Sequence, residues 1–250
     1  MQSAVSSPLD PMIRKLELWA TFSDVEKAAM RALPHSVRRL EPHQAIVQQG
    51  DLTTHSCLLI SGYAYREKIV RTGHRQILGI HMSGDMVDLQ NSLLIVADHG
   101  VRALTPATVA FIPRDAVLDV AFRHRPIGEA LWFDTLVDAA VFREWIVDVG
   151  RRDAITRLAH VQCEFGLRLE AAGLGTHRDY ELPMSQEELG DCLGLTAVHV
   201  NRMLRQLDTE GLIEREKRAV RIIDWPGMVR RGDFDGSYLH MRPQFAQLWS

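Results

Sequence analysis

Apolar residues recur along this chain with two different periods, and the changes from one to the other divide it. From about Leu16 to Ala32 the spacing is helical. Between Leu40 and Pro113 the apolar positions fall instead in short β-rich runs punctuated by glycine. Ala45-Ile46-Val47 precedes Gly50-Asp51, Cys57 to Ile60 precedes Ser61-Gly62, and Ala64 to Val70 precedes Gly73. Ile77 to His81 precedes Gly84-Asp85, and Ala107 to Ile112 ends at Pro113. Strands this close together, with turn signals between them, predict a small antiparallel barrel or jelly roll. The helical period returns from Ile127 to Val149, where Phe133, Leu136, Val137, Ala140, Val141 and Trp145 make a continuous apolar stripe. That stripe either packs on its own β-domain or pairs with the same helix of a second copy. Gly150-Arg151-Arg152-Asp153 then breaks the pattern and predicts a hinge, after which Ala154 to Ala172 opens a C-terminal domain.

The segment from Met184 to Leu212 carries the most chemistry. Ser185 with Glu188 makes a Ser-x-x-Glu capping box, Leu189 and Leu193 give the first helix its buried side, and Gly194 ends it. Thr196 caps the next helix after a two-residue turn, which is the outline of a helix-turn-helix. At about 100° per residue, Val200, Met203, Leu204 and Leu207 gather on one face of that second helix. Val198, Asn201, Arg202 and Arg205 fall opposite, with His199 and Gln206 at the margin. The face is either a solvated helix surface or a major-groove reader, since arginine bonds bidentately to guanine and asparagine to adenine. Leu212 to Ile223 then reads as two short strands around a basic tip, a wing that would bring Lys217, Arg218 and Arg221 near phosphates.

Ser-Gln-Glu-Glu-Leu-Gly, Gly-Leu-Thr, Val-x-Arg-x-Leu and Leu-x-x-x-Gly-Leu-Ile together resemble the DNA-binding domain of the Crp/Fnr family of transcription regulators. The Gly-Asp, Ser-Gly, Gly-Asp order of the earlier turns resembles the family's β-roll sensor, so the likeness spans nearly the whole chain. It implies an α+β protein: a jelly-roll-like β-roll with a short N-terminal helix (1–125), a long dimerisation helix and hinge (126–150), a winged helix-turn-helix (151–228) and a tail (229–250). It implies base reading by Val198, Asn201 and Arg202, where Val198 stands in place of the family's usual glutamate and could instead touch a thymine methyl. Ser185, Gln186, Thr196, His199, Arg205, Lys217, Arg218 and Arg221 are then expected at phosphates. The apolar stripe from Phe133 to Trp145 becomes the dimer seam, and the partners become double-stranded DNA, a second copy and RNA polymerase.

Composition narrows the remaining choices. The net charge of −3 argues against indiscriminate polyanion binding, whereas Ala197 to Ile223 holds six Lys/Arg against four Asp/Glu, so a nucleic-acid surface would be local. No apolar run is long enough for a membrane helix, the N-terminus lacks a signal-peptide pattern, and the three dispersed cysteines suit a reducing cytoplasm. The family's cyclic-nucleotide pocket needs Gly-Glu and Arg-Ser pairs; here those places read Asp88-Leu89 and Ala97-Asp98. An aspartate would repel the phosphate, with no buried cation expected to offset it. Three isolated thiols cannot form a Cys₄ iron–sulfur site in one subunit, and His43, His55, His74, His81 and His99 have no spacing that supports haem. No cofactor is therefore expected. Cys192, inside the helix-turn-helix, is either a redox-sensitive thiol or a small buried residue. Enzyme signatures such as His-x-His or Gly-x-Ser-x-Gly are missing, which leaves a DNA-binding regulator, or a ligand-sensing β-roll acting through protein partners.

Overall fold

The computed structural model describes residues 7–242, 245 and 247–249. It divides into two units: one takes the chain up to Lys68 and Ile80–Leu136, the other Ile69–Gly79 and the chain from Val137 onward.

Two helices, α1 (Asp10–Leu16) and α2 (Asp24–Arg31), open the first unit where a single helix from Leu16 to Ala32 was expected. The break has a local cause. The Ser23 side chain accepts from the Glu26 N–H and Glu26 accepts from the Ser23 N–H, a capping box that starts a new helix at Asp24. Seven strands follow: β1 (Ser36–Leu40), β2 (Ala45–Val47), β3 (His55–Ser61), β4 (Ala64–Ile69), β5 (Arg75–His81), β6 (Gly100–Ala103) and β7 (Ala107–Pro113). They form two sheets, ordered β1-β7-β3 and β2-β6-β4-β5, which is the expected β-roll. β1 shows no alternation of buried and exposed residues, so its sequence gave no strand signal. Cys57, Leu59, Val101 and Val109 belong to one apolar cluster of the roll. A second cluster joins α1, α2, α3 (Arg114–Arg123) and the first turns of α4 (Arg125–Gly150).

Helix α4 runs 26 residues, close to the expected Ile127–Val149, but its faces are assigned differently. Val137, Ala140, Val141 and Trp145 are buried by the protomer's own side chains, and Phe133 leans on Trp19 with ring centroids 5.7 Å apart. Exposed Trp132, Leu136 and Ile146 fall on one line, with half-buried Ala139 and exposed Arg143 completing a four-three spacing; Phe133, Val147 and Val149 are exposed off it. Of the six residues expected at the dimer seam, Leu136 alone lies on that exposed line, with Phe133 at its margin. The correction follows from geometry. The two lines sit about 160° apart on a 3.6-residue helix, and the buried one belongs to the protomer's own core.

In the second unit, α5 (Ala154–Ala171) is buried on nearly every side. After it come β8 (Asp179–Glu181), α6 (Gln186–Leu193), α7 (Ala197–Thr209), β9 (Ile213–Glu216), β10 (Ala219–Ile222) and α8 (Trp225–Arg231). β8, β10 and β9 make a three-stranded sheet, so the wing gains a strand that the sequence did not reveal. At the hinge, the Asp153 carboxylate caps α5 by accepting from Thr156 N–H at 2.9 Å. Arg152 bonds Glu144 and Asp148 of α4, at 3.1 and 2.9 Å, and Asp233 of the tail at 3.3 Å. Burial pushes the Asp148 carboxyl up to about 7, although the Arg152 guanidinium pulls the other way. The tail docks on α5: Tyr238 donates to Glu164 at 2.8 Å and stacks on His160, while Phe234 meets His160 edge-on.

Candidate nucleic-acid interface

The helix-turn-helix is assembled by the local chemistry its sequence announces. Ser185 Oγ accepts from Glu188 N–H at 3.2 Å and Ser185 N–H donates to Glu188 Oε2 at 2.8 Å, closing the capping box. Gly194 ends α6 in the left-handed region, with φ +66°. Gly190 has a separate role: a Cβ there would lie 2.4 Å from the Leu195 carbonyl oxygen, so only glycine lets the turn fold back this tightly. Thr196 Oγ1 then accepts from His199 N–H at 3.3 Å and starts α7. Val200, Met203, Leu204 and Leu207 are buried, as the face-by-face reading expected.

The opposite face of α7 stands clear of the core. Val198 is 82% exposed, Arg202 and Arg205 are exposed, and Asn201 is half-buried between them. Arg202 Nη2 lies 2.7 Å from His199 Nε2, so the imidazole holds the guanidinium along the first turns of the helix. These residues therefore share one surface, at the capped N-terminal end of a helix whose partial positive charge favours phosphate. Ser185 and Thr196 give their oxygens to capping, which leaves each a hydroxyl proton to donate; Gln186 is half-buried at the first turn of α6.

The wing is less uniformly basic than its sequence suggests. β9 and β10 pair with Ala219 opposite Glu216, leaving Lys217 and Arg218 as the two-residue tip. Lys217 adopts φ +54°, an uncommon conformation for a side-chain-bearing residue, and both tip residues are exposed. Arg221 is different. Its guanidinium lies 3.4 Å from Asp179 and 3.9 Å from Glu214, with the side chain 62% exposed. Arg221 therefore also braces the wing, because β8 brings in a carboxylate that sequence reasoning had placed in no element.

Two residues that sequence reasoning missed touch the helix-turn-helix from within the second unit. Arg75 bonds Asp191 of α6 through Nε at 2.7 Å and Nη2 at 2.6 Å, and Gln76 Nε2 donates to the Cys192 carbonyl oxygen at 3.1 Å. No local signal marks them, since both contacts join residues 116 positions apart. Cys192 itself is buried and its thiol is pushed well up, chiefly by burial, so the redox reading loses its chemical basis.

In the β-roll, the residues standing where a cyclic nucleotide would need partners have internal partners of their own. Asp88 is fully buried, its Oδ1 accepts from Cys57 N–H at 2.6 Å, and burial pushes the carboxyl up to about 6. Asp98 pairs with His99 at 2.5 Å. The expectation that no buried cation lies nearby is corrected: Arg66 is buried, its Nη2 donates to the Val87 carbonyl at 2.9 Å, and its charge acts on Asp88. Arg102 is matched by Glu67 at 2.6 Å. A phosphate would have to displace these internal partners. Among the described residues, no cluster of three or more His, Cys, Asp or Glu side chains could hold a metal ion.

Comparison with known proteins agrees with this layout. Residues 37–124 match a cyclic nucleotide-binding domain and residues 156–231 a Crp-like helix-turn-helix domain. The chain is similar to the transcriptional activator protein FnrL of Cereibacter sphaeroides, with 25% identity over 233 residues covering 91% of this chain and 93% of the relative. It is also similar to the nitrogen fixation regulation protein FixK of Rhizobium meliloti, with 28% identity over 194 residues covering 76% and 84%. Among solved structures, FixK2 from Bradyrhizobium japonicum matches with a TM-score of 0.73 at 23% identity, covering 79% of this chain and 97% of that one.

Proposed function

We propose, from the premise that this chain belongs to the Crp/Fnr family of transcription regulators, that it works as a homodimer reading a palindromic promoter site with Val198, Asn201 and Arg202 of each copy. The observation that carries the reading is the exposed polar face of α7, with a capped N-terminus and a wing tip bearing Lys217 and Arg218 in the same domain. Arg202 is the base reader with the widest hydrogen-bonding reach. Val198 supplies an apolar contact for a thymine methyl, and Asn201 a bidentate amide for adenine. Gln186, Thr196, His199, Arg205, Lys217 and Arg218 fix the register on phosphates, and Ser185 contributes its hydroxyl proton.

The exposed line of Trp132, Leu136 and Ile146 on α4 supports pairing with a second copy, the geometry that presents two reading helices about one DNA turn apart. The protein acts on RNA polymerase in the cytoplasm as a regulator, not as an enzyme. No helix among the described residues is long and apolar enough to cross a membrane. It works without cyclic AMP or cyclic GMP in the family's usual mode, a reading supported by the bonds of Asp88 to the Cys57 N–H and of Arg66 to the Val87 carbonyl. It also works without an iron–sulfur cluster or haem.

Selection of bound fragments from random duplex DNA, using purified protein with no added ligand, tests this directly. The expected product is a two-fold symmetric site with half-sites about 10 base pairs apart, centre to centre. Recovery of no preferred sequence at low salt would overturn the reading.

A further inference from the structure

Arg202 is a long side chain standing in water, and ordering such a side chain at an interface opposes binding. A guanidinium already held in its bound direction avoids part of that opposition. The structure supplies a holder. Arg202 Nη2 lies 2.7 Å from His199 Nε2. The other neighbours of Arg202 one helical turn away are Val198, Arg205 and Gln206. Val198 has no polar side-chain atom, Arg205 is a second cation, and the Gln206 amide is turned to Glu210, donating to it at 2.8 Å. A guanidinium only donates, so Nε2 accepts, and the imidazole is neutral with its proton on Nδ1. A carboxylate in the same place would hold the arginine but offset its charge. A neutral ring directs the cation and leaves that charge for DNA. Nη2 keeps its second hydrogen, and with Nη1 it forms the end-on pair of donors that a guanine accepts.

Placement gives a second reason to read the contact as functional. Thr196 Oγ1 accepts from His199 N–H at 3.3 Å, which fixes the His199 backbone in the first turn of α7. That turn carries no Asp or Glu, and the bond to His199 draws a cation toward the helix end whose partial charge is already positive. In the free protein this arrangement opposes stability. Its gain comes when an anionic partner lies against the same end. We infer that His199 is a positioning residue for base reading: its imidazole holds the Arg202 guanidinium at the N-terminal end of α7, directed for a guanine, and keeps Nδ1–H for its phosphate. The inference rests on the base-reading role given to Arg202 above and adds what sets the direction of that side chain. It separates His199 from the other phosphate contacts, whose loss weakens every DNA sequence alike.

The test compares the full-length parent with His199→Ala, His199→Gln and His199→Asn, each made also in an Arg202→Ala background. A glutamine amide reaches about as far as Nε2 and accepts from Arg202, whereas the shorter asparagine amide reaches about as far as Nδ1. Melting followed by circular dichroism checks folding. Fluorescence anisotropy measures affinity for random duplex and for selected duplexes carrying each base pair in turn at the position where Arg202→Ala relaxes the preference. His199→Ala and His199→Asn are expected to lower the preference at that position about two- to tenfold for each half-site, the range that one hydrogen bond contributes. His199→Gln should stay close to the parent. In the Arg202→Ala background, none of the three should change the preference that remains, because the effect passes through the contact. If His199→Ala weakens selected and random duplexes equally, His199 is a phosphate contact only; the inference is overturned and base reading by Arg202 stands. A loss of preference of the same size with and without Arg202 also overturns it, since His199 would then act on its own. If Arg202→Ala relaxes no position, the base-reading role fails and the inference falls with it. Should His199→Ala melt below the parent, the two amide variants decide, and equal preferences in them overturn the inference.

Discussion

Replacing Arg202 by alanine separates sequence reading from charge. The side chain is exposed, and its one recorded hydrogen-bonding contact is the His199 ring, so its removal leaves the buried face of α7 untouched. Folding stability should change by less than about 0.5 kcal/mol, as for other surface substitutions. On DNA, a bidentate contact to guanine discriminates by about 1–3 kcal/mol, or about 5- to 150-fold, for each half-site. A two-fold complex loses that contact twice at sites too far apart to couple, so the full palindrome should lose about 2–6 kcal/mol. A single half-site duplex loses half as much. Random DNA should lose only the electrostatic share of one cation per copy. Lys217→Ala supplies the comparison: at the exposed wing tip it should weaken selected and random duplexes alike. It should also lower the slope of log affinity against log salt by about 0.9 for each phosphate contact removed. Fluorescence anisotropy with selected, half-site and scrambled duplexes at several salt concentrations measures all of these. The reasoning is refuted if Arg202→Ala and Lys217→Ala leave the ratio of selected to random affinity equally unchanged.

The remaining predictions address the scaffold. Gly190→Ala forces a methyl group to within 2.4 Å of the Leu195 carbonyl, so the turn must open; a loss of at least about 2 kcal/mol is expected in denaturant melts, together with loss of DNA binding. The Asp148 carboxyl, pushed up to about 7 in the folded state, binds its proton more tightly there than in the unfolded chain. Its contribution to stability is therefore present at acid pH and lost as pH rises through about 7. His160, pulled down to about 4 chiefly by burial, acts in the opposite sense, but only as pH falls below the ordinary histidine range. Comparing the melting temperatures of the parent and Asp148→Asn between pH 6 and 8 isolates the carboxyl: the fall in the parent should flatten in the variant, and parallel curves would contradict the assignment. Thiol titration of native protein should detect no fast-reacting cysteine and should find all three after unfolding, with peroxide leaving DNA binding unchanged.

How much was legible in the sequence depended on whether the deciding interaction is local. Ser185, Glu188, Gly194 and Thr196 act within a few residues of themselves, and the helix-turn-helix they specify appears where the spacing places it. Glycine-punctuated strands fix the β-roll for the same reason, whereas β1 and β8 exist only because distant partners pair with them. The same distinction explains Arg221, whose neighbour Asp179 lies 42 positions away, and the tail, whose Tyr238 finds Glu164 across 74. Helix α4 shows the limit most clearly. Its stripe through Val137, Ala140, Val141 and Trp145 is the strongest periodic signal in the chain, but that strength reflects burial and says nothing of which molecule does the burying. A second apolar line through Trp132, Leu136 and Ile146 runs along the other side, interrupted by Arg143, and so reads as weaker. A helix apolar on both sides has to be covered twice. Its own core takes the continuous line, which leaves the interrupted one for a partner. One charged position in such a seam costs stability and in return restricts the register at which two copies can meet.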